Sequence, residues 1–203
     1  MKEQQRHSPA EDAVLSAMLP HVAALGWGEA ALRRGLKDAG SVPWLAGGLF
    51  AGGAVGLVEA ASDLADRKVA AALAERDLEG LGTRERLREA ASCWLALLLP
   101  HREAVRRAVA LLMLPGAMAS AVRILGRTAD SFWFAAGDRS ADFSWYGKRA
   151  TLAAMLLALL LFWLQDASEG AAASLDFFER ELAAHARLRK LRRFVPPLPG
   201  RLA

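Results

Sequence analysis

Four histidines, one cysteine and two glycine pairs are the residues of this sequence around which chemistry could be built. His7, His21, His101 and His185 are dispersed. There is no HExxH and no Glu-x-x-His pair of the kind that holds a di-iron centre in a helix bundle. A lone Cys93 excludes an intrachain disulfide and any multi-cysteine zinc site. Within Ala-Ala-Ser-Cys-Trp-Leu-Ala-Leu it reads as a small buried apolar residue. Gly47-Gly48 and Gly52-Gly53 follow no strand, and neither a GxSxG, a P-loop nor a GxGxxG is present. Cofactor-free acid–base chemistry is left open by carboxylates at ordinary spacing, with nothing to favour it. No metal or organic cofactor is expected.

The segment from Asp130 to Ala154 is chemically richer. It holds the only tyrosine, Tyr146, and two of the six tryptophans, Trp133 and Trp145. Asp142 precedes Phe143-Ser144-Trp145-Tyr146 and is placed to cap the next helix through its orphan amides. Equally, Trp145 and Tyr146 in a first turn beside Lys148 and Arg149 suit a partly exposed interface patch, where aromatic and basic residues are favoured. Spacing alone leaves both readings open.

These residues must be positioned by helices. No stretch alternates apolar and polar with β-branched enrichment. Ser8-Pro9-Ala10-Glu11 is a helix start, followed by Val14, Leu15, Met18, Leu19, Val22 and Leu25 at helical spacing. Further helices are expected at about 29–39, 42–50, 54–78, 83–99, 102–114, 117–136 and 144–164, with a last one from about 171 that passes into the basic tail and must end before Pro196-Pro197. The 203 residues are 54% apolar and 24% charged, which excludes a disordered chain. Leu152–Leu164 is 13 uninterrupted apolar residues, short of the roughly 20 that a membrane span needs. Val42–Val58 is uncharged but carries five glycines and a proline. One all-α domain over 8–184 is expected, with a tail over 185–203.

The net charge of +4 at first favours nucleic acid and membrane equally. Its position decides between them. Six basic residues and no acid follow His185, leaving −2 for residues 1–184. Leu15, Ala24, Gly26-Trp27, Leu32 and Ala39-Gly40 resemble the landmarks of a TetR-type helix-turn-helix head over 8–50. The element that would read DNA, Ser41–Phe50, has no charged side chain and no amide, so it can neutralise no phosphate and meets base edges poorly. The head reads as a degenerate helix-turn-helix, and nucleic acid is not an expected partner.

Asp138-Arg-Ser-x-Asp-Phe-Ser-Trp-Tyr-x-Lys-Arg-Ala-Thr-Leu-Ala resembles the signature of the Coq-nine family of ubiquinone-biosynthesis accessory proteins. Leu19-Pro-His-Val-Ala, Gly26-Trp27 and Ala31-Leu32 resemble that family's opening; Trp163-Leu-Gln-Asp-x-Ser168 and Phe177-Phe-Glu-Arg180 resemble its close. The resemblance runs over about residues 12–182 and is most specific at 130–152. It implies a TetR-like helical bundle that does not bind DNA, a homodimer, and an apolar cavity for an isoprenoid, quinone-precursor or acyl lipid. It further implies presentation of that lipid to a di-iron hydroxylase at a membrane, with Trp145 and Tyr146 meeting the hydroxylase and Asp142 in support. The Gly-rich third element and the short tail depart from the family pattern.

The residues bear on this resemblance in two places. Leu152, Met155, Leu156, Leu159 and Trp163 form one face of an apolar helix, and Ala153, Leu157, Leu160, Leu161 and Leu164 much of the other. Such a helix must be enclosed on both sides, by a lipid cavity and a dimer seam or simply by a core. Trp94, Leu97, Leu98, Met113, Phe132 and Trp133 are the other candidates for a lipid lining. In the tail, Ala184, Leu188, Leu191 and Val195 share a stripe, with Arg187, Arg189, Lys190, Arg192 and Arg193 around it. A basic amphipathic helix of this kind lies on anionic membrane; the competing reading is a solvated tail. The N-terminus lacks the features of a signal or transit peptide, which points to a bacterial cytoplasmic protein peripheral on the inner membrane. The alternatives from other classes are a TetR-like transcriptional regulator and an enzyme acting on isoprenoid substrates.

Overall fold

A computed structural model describes residues 8–41, 52–137 and 144–192, with side chains from 147 to 187 in the last stretch. Among these residues there are helices and no strand. They are α1 (Pro9–Leu25), α2 (Glu29–Asp38), α3 (Gly53–Ala74), α4 (Thr83–Leu98), α5 (Arg102–Leu112), α6 (Met118–Ala135), α7 (Ser144–Trp163) and α8 (Ala172–Arg192). Single 3-10 turns at Leu99–His101, Pro115–Ala117 and Glu169–Ala171 join successive helices. The expected element at 42–50, which would be the reading helix of the head, lies outside the described residues.

The helix starts follow local chemistry. Ser8 Oγ accepts from Glu11 N–H at 3.3 Å while Glu11 Oε2 accepts from Ser8 N–H at 2.5 Å, a reciprocal capping box with Pro9 in the first turn. Glu85 returns to Gly82 N–H at 2.7 Å in the same way at the start of α4. Gly26 ends α1 at a φ of +75°, a conformation that L side chains rarely adopt. The third described helix stops at Ala74, four residues short of the expected Leu78. There the Asp77 carboxylate accepts from Glu79 N–H at 2.9 Å, and this local bond competes with continued helix.

Packing divides the molecule into a head and a body. In the head, Val14, Leu15, Met18 and Val22 of α1 face Ala31, Leu32 and Leu36 of α2, all buried. The helices approach closely at Gly35, where an added Cβ would lie 2.8 Å from Met18 Cβ. The body gathers α4, α6, α7 and α8 around Trp94, Phe132, Leu156, Leu159, Trp163 and Phe178. Helix α3 belongs to both: Leu57, Ala60 and Leu64 pack in the head, Val69 and Leu73 in the body. The last helix is continuous through Arg187 to Arg192, passing into the start of the basic tail as expected.

Candidate functional site

Ten of the eleven candidate lipid-lining residues come together in one cluster. Trp94, Phe132, Leu152, Leu156, Leu159 and Trp163 are buried at its centre; Leu97, Leu98, Trp133 and Met155 are half-buried at its edge. The rings of Trp94 and Phe132 meet edge to face, with centroids 6.0 Å apart, a favoured aromatic geometry. Met113 stands apart. It is 66% exposed, because α5 ends at Leu112 and the chain turns away from the body before α6.

Helix α7 is covered on one face and partly covered on the other, where Ala153, Leu160 and Leu164 also pack against the cluster. Leu152, Leu156 and Leu159 face the body, whereas Leu161 and Phe162 remain exposed in the single chain. Phe162 stacks on Phe177 of α8 at 4.8 Å, 3° from parallel. The expectation that both faces are enclosed therefore holds within this chain for the first face and for part of the second, leaving the edge at Leu161 and Phe162 open.

The C-terminal end of α7 is pinned by arginines of α5. Arg102 lies over the Trp163 ring at 4.7 Å and donates to the Asp166 carbonyl; Arg106 donates to the Leu164 carbonyl at 2.9 Å. Cations satisfy the last carbonyls of a helix and complement its dipole. The Asp166 carboxylate then organises the start of α8. It accepts from Ser168 N–H at 2.8 Å, Ser174 N–H at 2.9 Å and the Ser174 hydroxyl at 2.5 Å. Burial alone would raise its pKa, but these hydrogen bonds from Ser174 and Ser168 hold it at about 2. Trp163 Nε1, buried beneath this arrangement, has no hydrogen-bond partner.

The first turn of α7 is anchored from α6. Trp133 Nε1 donates to the Lys148 carbonyl at 3.2 Å, and the Lys148 ammonium lies 5.8 Å from the Trp133 ring. Arg149 pairs with Asp130. Asp142 lies outside the described residues, as do the side chains of Trp145 and Tyr146, although both of the latter fall within α7. In the tail, Arg187 is exposed; the side chains of Leu188, Arg189, Lys190, Leu191 and Arg192, and the whole of Arg193, lie outside the described residues.

Two polar centres escaped the sequence reading. Asp66 on α3 is 5% exposed and accepts from Thr128 at 2.9 Å and Arg127 at 3.1 Å, both on α6. Burial pushes its carboxyl up to about 6 against the pull of these partners. The signal was a charge recurring inside an apolar helix, Asp63-Leu-Ala-Asp66-Arg67. The Asp166 cradle was visible as Asp-x-Ser ahead of a helix, a capping pattern. Cys93 is buried, as expected, and burial pushes its thiol pKa up, which opposes nucleophilic use. No group of three or more His, Cys, Asp or Glu able to hold a metal occurs among the described residues. Among them, too, no single helix is long and apolar enough to cross a membrane.

Comparison with known proteins places this arrangement. The COQ9 family model matches residues 118–189, which run from the start of α6 almost to the end of α8. The human mitochondrial ubiquinone biosynthesis protein COQ9 is 32% identical over 161 residues, covering 76% of this chain and 51% of that protein. COQ9-B of Xenopus laevis is 31% identical over 177 residues, 84% of this chain and 60% of its own length. The Drosophila melanogaster COQ9 is 28% identical, with 83% and 53% covered. The chain thus spans roughly half the length of these relatives. In three dimensions, a TetR transcriptional regulator from Nitrosomonas europaea superposes with a TM-score of 0.68 at 23% identity, over 89% of this chain and 99% of that one. The fold is therefore TetR-like and all-α. The relatives also correct one expectation. The bacterial cytoplasmic location was inferred from a missing leader, whereas these relatives are named mitochondrial proteins of eukaryotes. The segment that carries the signature lies inside the family match, and the likeness to the relatives extends well beyond it: among known proteins, this chain is similar to the COQ9 family.

Proposed function

We propose that the chain serves ubiquinone biosynthesis as a non-catalytic, lipid-binding accessory protein. The observation that carries this reading is the apolar cluster from Trp94 to Trp163, which lies largely within the family match and is built from aromatic and long aliphatic side chains with few polar groups. Its ligand is an isoprenoid or quinone precursor, or an acyl lipid of similar shape, and it needs no resident cofactor. Trp145 and Tyr146, supported by Asp142, form the surface that presents the lipid to a di-iron hydroxylase. The basic continuation of α8, from Arg187 to Arg193, rests on the membrane from which the lipid comes. The open edge of α7 with Leu161 and Phe162 is the seam of a homodimer, which would supply the enclosure that the single chain lacks.

The test is the ligand itself. Mass spectrometry of lipid extracted from the purified full chain is expected to recover an isoprenoid or acyl lipid at a fixed ratio to protein. A protein that emerges empty and shows no affinity for added isoprenoid quinones or fatty acids would overturn the lipid-binding role.

A further inference from the structure

Away from the body cluster and the tail, exposed apolar side chains gather at the turn between α5 and α6. Leu114 is 55% exposed, Met118 52% and Val122 70%, beside the outlying Met113. From Ala108 to Val122 the sequence runs for fifteen residues without a charge. The chain bends by 99° here, around Pro115–Ala117. The four side chains therefore cluster along the chain at one sharp bend, exposed. Met118 and Val122 are neighbours on α6, one turn apart.

The edge is held from beneath. Val58, Ala108 and Ile124 form a small core with Trp27, Leu111 and Leu112, and Trp27 Nε1 ties α5 to the head by donating to the Ala104 carbonyl at 2.9 Å. Met113, Leu114, Met118 and Val122 lie outside that core. A contiguous exposed apolar set of this kind marks an interaction surface.

Charge beside exposed apolar side chains selects the occupant. The arginines flanking these side chains in sequence, Arg106, Arg107 and Arg123, face two carboxylates, Glu103 and Glu59, a local excess of one positive charge. Arg106 and Arg107 lie behind the edge on α5 and Arg123 on α6. Their carboxylate partners, Glu103 and Glu59, form ion pairs near the surface. Pairs of this kind contribute little and exchange readily for phosphate, which guanidinium groups bind well. An exposed apolar edge, flanked by long cationic side chains whose heads can stay in the headgroup layer, matches an anionic bilayer surface.

We propose that this edge is a second membrane contact, separate from the tail: Met113, Leu114, Met118 and Val122 enter the acyl boundary of an anionic bilayer, and Arg107 and Arg123 engage lipid phosphates. The contact does not depend on a bound ligand, so failure to recover a lipid from the cluster would leave it standing. Flotation of the full chain with phosphatidylcholine vesicles containing phosphatidylglycerol tests it. Met113→Asp with Met118→Asp is expected to lower vesicle partitioning at least about tenfold, the order set by burying one such side chain, without change in helical circular dichroism. Unchanged partitioning overturns the proposal. So does a shift from dimer to monomer with vesicle binding intact, since the edge would then be a seam between copies. Should the double variant fail to fold, a polarity-sensitive dye on Met118→Cys in a Cys93→Ala chain reports directly. A blue shift on adding the anionic vesicles, retained when Arg189 and Arg192 are changed to Glu, supports insertion; an unshifted spectrum overturns it.

Discussion

Asp66 shows how much one enclosed carboxylate can govern. It sits between α3 and α6 with Thr128 and Arg127 as partners, and burial raises its pKa from 3.8 to about 6. The folded protein thus holds this proton more tightly than the unfolded chain does. The stability it contributes is fully present below pH 3.8 and is lost as pH rises through about 6. Asp66→Asn keeps an acceptor for Thr128 and removes the buried charge, while Arg127 retains Asp63 at 3.6 Å. The variant is expected to be more stable than the parent at pH 7 by about 1–3 kcal/mol, with the gain disappearing near pH 4. Urea denaturation at the two pH values measures this. A similar loss at both would mean that the pairing of Asp66 with Arg127 outweighs the cost of burial.

At the scale of the element, α1 and α2 make the tightest joint in the head. Gly35 lies against Val14 and Met18, where an added Cβ would stand 2.8 Å from the Val14 carbonyl oxygen and 2.9 Å from Met18 Cα. On propensity alone, Gly35→Ala would stabilise a helix interior by roughly 1 kcal/mol. Here the helices would have to part, and overpacking of this sort costs about 1–3 kcal/mol. The substitution is expected to destabilise the protein, as read by the midpoint of chemical denaturation; a neutral or raised midpoint would show slack between the two helices. Helix starts and stops were legible because they are local: Ser8 with Glu11 and Gly26 each act within a few residues. The end of α3 was misread because Asp77 forms a side-chain bond that hydrophobic periodicity does not register. The passage of α8 into the basic tail was legible as well: the change from acidic to basic composition at His185 alters charge, whereas the helix depends on backbone geometry and continues to Arg192, short of Pro196-Pro197.

For the whole molecule, sharing a fold with a TetR regulator leaves open what the head contacts. The segment Ser41–Phe50 offers no charged group and no amide, and electrostatic contact with phosphate supplies most DNA affinity. In a gel-shift experiment with DNA flanking its own gene, at near-physiological salt, no specific complex is expected. A nanomolar specific complex would replace the accessory-protein reading with a transcriptional one. The candidate site was legible in part. The apolar face of α7 was grouped from its spacing and residues on the other helices were named as candidates for the rest of the lining, and ten of the eleven pack in one cluster. Met113 was not separable from them by residue type, since its place depends on where α5 ends and how sharply the chain then turns.

What the sequence determined by itself is the all-helical build, most helix boundaries and the family likeness, because caps, glycine and proline stops, apolar spacing and a signature segment are all carried by neighbouring residues. Which faces are covered was decided by the tertiary structure alone. Leu156 and Phe162 lie on the same apolar helix, yet one is enclosed by the body and the other is open; Asp66 and Asp63 lie one turn apart, yet only Asp66 is deeply buried. The physical reason is that enclosure depends on the angles and separations at which distant helices pack, and contacts such as Asp66 with Thr128 or Arg102 with Trp163 join residues far apart in the chain, where no local spacing records them.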